Sequence, residues 1–196
     1  ASAWAWGFAL LLAGIAACSG LAMGANRADV PATIAIATAA PVTNPQRFSW
    51  VALAFVPSGL LVAVTAHIST DIAAVPLLWV VPLALFLLTF VIVFQRRPVL
   101  PHRWMLHVQL VLTFVLLVTA VVKLPLGSME TLALHLGLFF VTAMVAHGEL
   151  VKRRPDAARL TEFYLWMSFG GVLGGLFSGL LAPLMFNSIA EYPMLL

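Results

Sequence analysis

The stretch Trp104-Met105-Leu106-His107-Val108-Gln109-Leu110-Val111-Leu112-Thr113-Phe114-Val115-Leu116-Leu117-Val118-Thr119-Ala120-Val121-Val122 runs 19 residues without a Lys, Arg, Asp or Glu. As a helix rising about 1.5 Å per residue it reaches about 28 Å, close to the roughly 30 Å hydrocarbon thickness of a bilayer. It is fenced by polar links: Gln95-Arg96-Arg97-Pro98-Val99-Leu100-Pro101-His102-Arg103 before it, and Lys123-Leu124-Pro125-Leu126-Gly127-Ser128 after it. The whole chain has the same character. Of its 196 residues 63% are hydrophobic and 9% charged, against roughly a quarter charged in an ordinary soluble domain. So few polar side chains cannot cover a water-soluble core. The composition therefore predicts an all-α integral membrane protein and excludes a soluble enzyme, a disordered linker and a nucleic-acid module.

Outward from that stretch the pattern predicts about six transmembrane helices. The first is Trp4 to Gly24, within residues 1–24, with Trp4 and Trp6 as interfacial anchors. Residues 25–49 are rich in Ala, Thr and Pro, and Pro31, Pro41 and Pro45 predict a cytoplasmic loop there. Residues 50–186 form a five-helix membrane core. Its spans are Trp50 to His67 with a kink at Pro57, Ile72 to Phe94 with a broken start at Pro76 and Pro82, Trp104 to Val122, Met129 to Leu150, and Leu160 to Phe186. The tail, residues 187–196, reads as the start of a further helix.

Charge sets the orientation. Arg27, Arg47, Arg96, Arg97, Arg103, Lys152, Arg153, Arg154 and Arg159 all fall in the links after the first, third and fifth spans, and only Lys123 falls on the other side. The positive-inside rule places those three links in the cytoplasm. The single cysteine, Cys18, lies in the small-residue run Ala16-Ala17-Cys18-Ser19, where a packed thiol is expected; one cysteine excludes an internal disulfide. The opening residues lack Met and a basic leader, so the chain reads as a fragment or a processed product.

The run Leu160-Thr161-Glu162-Phe163-Tyr164-Leu165-Trp166-Met167-Ser168-Phe169-Gly170-Gly171-Val172-Leu173-Gly174-Gly175 resembles the membrane portion of bacterial fused spermidine-synthase-like proteins. Ser69-Thr70-Asp71-Ile72-Ala73-Ala74-Val75-Pro76-Leu77-Leu78-Trp79, Ala146-His147-Gly148-Glu149-Leu150, and Ala182-Pro183-Leu184-Met185-Phe186 followed by Glu191-Tyr192-Pro193 agree with it. The likeness covers roughly residue 50 to the end. It implies a multi-pass, transporter-like region in the inner membrane of a bacterium, joined in such proteins to a cytoplasmic aminopropyltransferase-like domain of Rossmann type. That domain needs a glycine-rich nucleotide loop after a strand. Here the glycines lie inside an apolar helix, so synthase activity is not implied, and no nucleotide-binding or catalytic motif and no cofactor is implied by the sequence.

Three residue sets remain as candidates. Gly171, Gly175 and Gly179 form one small-residue ridge of a glycine zipper; Gly170, Gly174 and Ser178 form the ridge beside it. Both predict close helix approach, with Gly175 at a contact. At the outer face, His67, Asp71, Glu130 and His135 combine imidazole and carboxylate groups suited to a cation, a proton or a metal. His67, Asp71 and His135 are the expected core of that set and Glu130 its periphery; helix capping in water is the competing explanation. At the inner face, His107, His147, Glu149 and Glu162 lie near Arg153, Arg154 and Arg159. They offer ion pairs within the fold or a docking surface for a cytoplasmic domain or partner protein at the basic loops.

Haem or pigment ligation by His107, His135 or His147 is disfavoured: His135 and His147 are twelve apart on one helix, about 18 Å, and no covalent haem motif occurs. The chain therefore reads as a non-catalytic membrane domain, either an anchor or a handler of a small solute or cation. The alternative is an accessory structural subunit of a larger, energy-transducing membrane complex. The lipid bilayer is its first partner and nucleic acid is none. Single cysteines placed at Ser69 and Ser128 should react with an impermeant thiol reagent in whole cells, and one at Pro98 should not; labelling at Pro98 alone would reverse the orientation.

Overall fold

A computed structural model describes residues 6, 10, 12–20, 41–72, 77–95, 101–185 and 195. The chain divides into two compact units, Ala1–Ala39 and Ala40–Leu196. In the first, residues 12–20 are helical and exposed. Cys18, expected to be packed, is exposed there: its neighbours in that run are small and exposed as well. The remainder of the first span, most of the loop and residues 187–194 of the tail lie outside the described residues.

The second unit is helical, with no strand among the described residues. It comprises α1 (Asn44–His67), α2 (Val80–Val93), α3 (His102–Val122), α4 (Ser128–Lys152), α5 (Leu160–Leu176) and the short α6 (Ala182–Met185). A π-turn, Ile68–Ile72, extends α1; a 3₁₀ turn, Ala157–Arg159, leads into α5; a second π-turn, Phe177–Leu181, joins α5 to α6. Four helical stretches are long and apolar enough to cross a membrane: Asn44–Thr70, His102–Val122, Ser128–Lys152 and Ala157–Met185. The apolar helix α2 is shorter, at 14 residues.

Three boundaries differ from the expectation, each for a local reason. Residues 44–49, expected in the loop, are the first six residues of α1. Pro45 sits where a missing N–H costs nothing, and the Thr43 N–H donates to Gln46 Oε1 at 2.9 Å, closing the helix end. Helix α1 then runs through Pro57, which is buried. The polar link after His67 is not a break but the π-turn. The next helix starts only at Val80, after Leu77 at φ 69°, a left-handed conformation that ends any helix approaching from upstream. Lys123, at φ 54° and ψ 45°, likewise closes α3, and the Leu124 N–H returns to the Thr119 carbonyl at 3.2 Å.

Helices α1 and α5 make the tightest contact. A Cβ on Gly170 would strike the Val51 carbonyl and lie 2.8 Å from Val51 Cα; one on Gly174 would strike the Phe55 carbonyl and lie 2.9 Å from the Gly59 nitrogen. On the facing side, a Cβ on Gly59 would lie 3.1 Å from Ser178 Oγ and 3.3 Å from the Gly174 oxygen. Position 51 thus meets 170, 55 meets 174 and 59 meets 178, so the two helices run parallel in a shared i, i+4 register. Of the two ridges expected, it is Gly170–Gly174–Ser178 that packs. Among the described residues, a Cβ on Gly175 would meet nothing beyond its own helix within 4 Å, one on Gly171 would meet the Ser58 hydroxyl at 3.2 Å, and one on Gly179 would meet Val62 at 3.8 Å. The ridge that packs is the one facing α1; its neighbour is turned about 100° away around the helix.

Helix α4 holds the other elements, lying against α1, α2 and α3. With α1 it buries Leu60, Ala63, Val64, Ile68 and Phe139, to which Leu85 and Phe86 of α2 are added. Trp50, Ala54, Leu150 and Phe163 form a second cluster where α1, α4 and α5 meet. There the Trp50 indole meets Phe163 edge to face at 5.2 Å and donates to the Arg153 carbonyl at 3.0 Å, so its buried N–H is satisfied. Helix α3 has no buried residue and touches α4 through Leu112 beside Gly137 and Gln109 beside Thr142.

Gly174→Ala should lower the thermal stability of the detergent-solubilised protein by about 1–3 kcal/mol, because backbone stands on the far side of the added methyl and cannot yield. Gly175→Ala should be neutral or gain up to about 1 kcal/mol from helix propensity alone. Equal losses in thermal melts would mean that α1 does not lie on this ridge.

Candidate functional site

Helices α1 and α4 run antiparallel, since Trp50 meets Arg153 at one end and His67 meets His135 at the other. One end of the bundle is basic, carrying Arg47, Lys152, Arg153 and Arg159; the opposite end carries Lys123 and the α3–α4 turn.

At that opposite end the structure brings together two of the four residues expected there. The imidazoles of His67, last residue of α1, and His135, in the second turn of α4, lie with ring centroids 4.6 Å apart and planes tilted by 38°. His135 is 7% exposed. Its Nδ1 is 2.9 Å from the Thr131 carbonyl one turn back. A carbonyl only accepts, so Nδ1 carries the hydrogen and Nε2 the lone pair when the ring is neutral. The pair is therefore built from two helices, with one ring held in a fixed tautomer by its own helix.

Glu130 is not part of it. It lies in the first turn of α4, where a Cβ on Gly127 would strike its carboxylate. A carboxylate folded back on the residue that caps its own helix complements the N–H groups and dipole there. The Asp71 backbone belongs to the π-turn after α1, and its side chain lies outside the described part of the structure.

The basic end is a network of ion pairs. Glu149 Oε1 lies 2.8 Å from Lys152 Nζ and 2.8 Å from His102 Nε2, and Oε2 lies 3.6 Å from Arg153. Glu162 Oε1 accepts from both Nε and Nη2 of Arg47 at 2.8 Å, and Oε2 lies 3.8 Å from Arg159. These bonds tie α1 to α5 and α3 to α4. They use carboxylates expected at a docking surface, although Arg153 and Lys152 keep about half of their side-chain surface exposed. Arg154, in the turn after α4, is exposed.

His147, expected on the docking surface, is not at the surface: it is 1% exposed. It faces α2, with its Nδ1 2.8 Å from Thr89 Oγ1 and its ring stacked on Phe90 at 3.9 Å and met by Phe86 at 5.4 Å. Thr89 also bonds the Phe86 carbonyl at 2.6 Å. A hydroxyl has one proton, so with that proton on the carbonyl the imidazole donates to Thr89. The arrangement is a satisfied core histidine joining α2 to α4. His107, on exposed α3, donates from Nδ1 to the Arg103 carbonyl of its own helix at 2.7 Å.

Two partners escaped the sequence, His102 and Thr89. Neither has a periodic signal, because each meets its histidine or glutamate from a different helix. One local sign existed: Gly148, between His147 and Glu149, leaves the gap into which the His102 ring fits, its Nδ1 2.6 Å from where a Cβ would stand.

No protein-family model, curated protein or solved structure matches this chain. Gly148→Ala should displace His102, lengthen its contact with Glu149 and cost about 1–2 kcal/mol of stability. In the double variant with His102→Ala, thermal melts should show much of that loss relieved; a purely additive result would place the ring elsewhere.

Proposed function

We propose that this chain is a non-catalytic, multi-pass membrane domain of about six spans that binds a proton or small cation at the His67–His135 pair. The observation that carries this reading is the contact of two imidazoles from different helices, 4.6 Å between centroids, in a bundle whose other histidines have different surroundings. His147 is closed in by α2, His102 is committed to Glu149 and His107 is exposed on α3. Polar groups in a largely apolar segment are costly and are kept where they pair or bind. The resemblance to fused spermidine-synthase-like proteins supports a bacterial inner-membrane location, with the basic end in the cytoplasm and turned toward a soluble domain. An accessory structural role in a larger complex is the second reading, favoured by α3, which buries none of its residues.

A double-mutant cycle tests the binding role. Melting temperatures of the wild type, His67→Ala, His135→Ala and the double variant are measured at pH 5.5 and 7.5, with and without millimolar K⁺ or spermidine. Whatever stabilisation the proton or cation confers on the wild type should be lost equally in each single variant, and the double variant should lose no more. Losses that add, or a wild type indifferent to every condition, would leave two separate helix-end histidines.

A further inference from the structure

We infer that the His67–His135 pair is a binding site for a borderline transition-metal ion of the Cu²⁺, Ni²⁺ and Zn²⁺ class, rather than for a hard cation. This rests on the cation reading above and names the ion. Three features converge on it, all at the junction of α1 and α4.

The first is spacing. Two imidazoles on one ion, each about 2.1 Å from it through nitrogen, have ring centroids roughly 4.5–5.3 Å apart for bond angles between a right angle and a tetrahedral one. The observed 4.6 Å falls in that interval, and the 38° tilt keeps the rings from lying flat on one another.

The second is the tautomer. Metal-ligating histidines nearly always donate their other ring N–H to a carbonyl or carboxylate, which orients the ring and makes the ligating nitrogen more basic. His135 does so: Nδ1 donates to the Thr131 carbonyl at 2.9 Å, and the lone pair falls on Nε2. The same threonine sends its hydroxyl to the Gly127 carbonyl at 3.0 Å, so the carbonyl that orients the imidazole belongs to a residue that is itself fixed.

The third is the donor chemistry. Imidazole nitrogen suits Cu²⁺, Ni²⁺ and Zn²⁺, whereas Mg²⁺ and Ca²⁺ take oxygen ligands. Of the two carboxylates expected to join, Glu130 is folded onto Gly127 at the start of α4, and the Asp71 side chain lies outside the described part of the structure. Two histidine ligands leave the other positions of the ion to water or solute, the arrangement of an exchangeable site rather than a closed structural one.

The test uses the full chain in detergent, purified without a polyhistidine tag, with Cu²⁺ as the probe. At one equivalent the electron paramagnetic resonance spectrum should show coupling to two nitrogens, and millimolar Mg²⁺ should not displace the ion. His67→Ala and His135→Ala should each weaken Cu²⁺ binding at least tenfold and leave coupling to one nitrogen, while His107→Ala leaves both unchanged. A wild-type spectrum with no nitrogen coupling, displacement by Mg²⁺, or equal affinity in the double variant would each overturn the assignment, the first two without relying on any variant folding. If the proton- or K⁺-dependent coupling of the two histidines persists while Cu²⁺ binds elsewhere, the ion class is wrong and the cation reading stands. If both are lost, both fall.

Discussion

The close approach of α1 and α5 is the constraint on which the rest of this structure depends. Between helices that are apolar on nearly every side, burial does not choose which faces meet; shape does. Gly170 and Gly174 remove two side chains one turn apart, and the carbonyls of Val51 and Phe55 occupy the space. Because the contact repeats every four residues on both helices, it fixes direction and height together. Trp50 is thereby set against Phe163 and Arg47 against Glu162 at the basic end. The opposite face of α1 is then presented to α4 along its length, from Trp50 at the Arg153 carbonyl to His67 at the His135 ring.

Helix α4 converts that pair into a bundle. It is the most buried of the long helices, and four of its polar residues reach the three helices around it. His135 meets α1, Thr142 meets Gln109 of α3, His147 meets Thr89 of α2, and Glu149 meets His102 at the start of α3. Exposed ion pairs contribute only about 0–1 kcal/mol each. The value of those at the basic end is positional: they select one rotation of each helix among several that apolar packing would tolerate.

Much of this was legible in the sequence. The apolar runs marked out the helical spans Trp104–Val122 and Met129–Leu150 almost to the residue, because Arg103, Lys123 and Lys152 lie at or near their ends. That His67 and His135 lie at one height was legible too, since antiparallel spans bring those positions level; that their helices are neighbours was only a condition of the reading, and the structure supplies it. What spacing could not settle was rotation. Gly170–Gly174 and Gly171–Gly175 are equally good ridges on paper, and only the facing helix distinguishes them. The same blindness put His147 on a surface that it does not reach. Local chemistry was overlooked once: Thr43-Asn44-Pro45-Gln46 is a helix start in a proline-rich disguise. For Glu130 the competing explanation, capping of its own helix, fits its place beside Gly127.

The pairing of α1 with α5 also has a cost in time. Arg47 and Glu162, which meet across it, are 115 positions apart in the chain. At about 5–20 residues per second of synthesis, α1 leaves the ribosome roughly 6–23 s before its tightest neighbour exists. Throughout that interval the groove at Val51, Phe55 and Gly59 is filled by something other than α5, and α5, on arriving, has to displace whatever fills it.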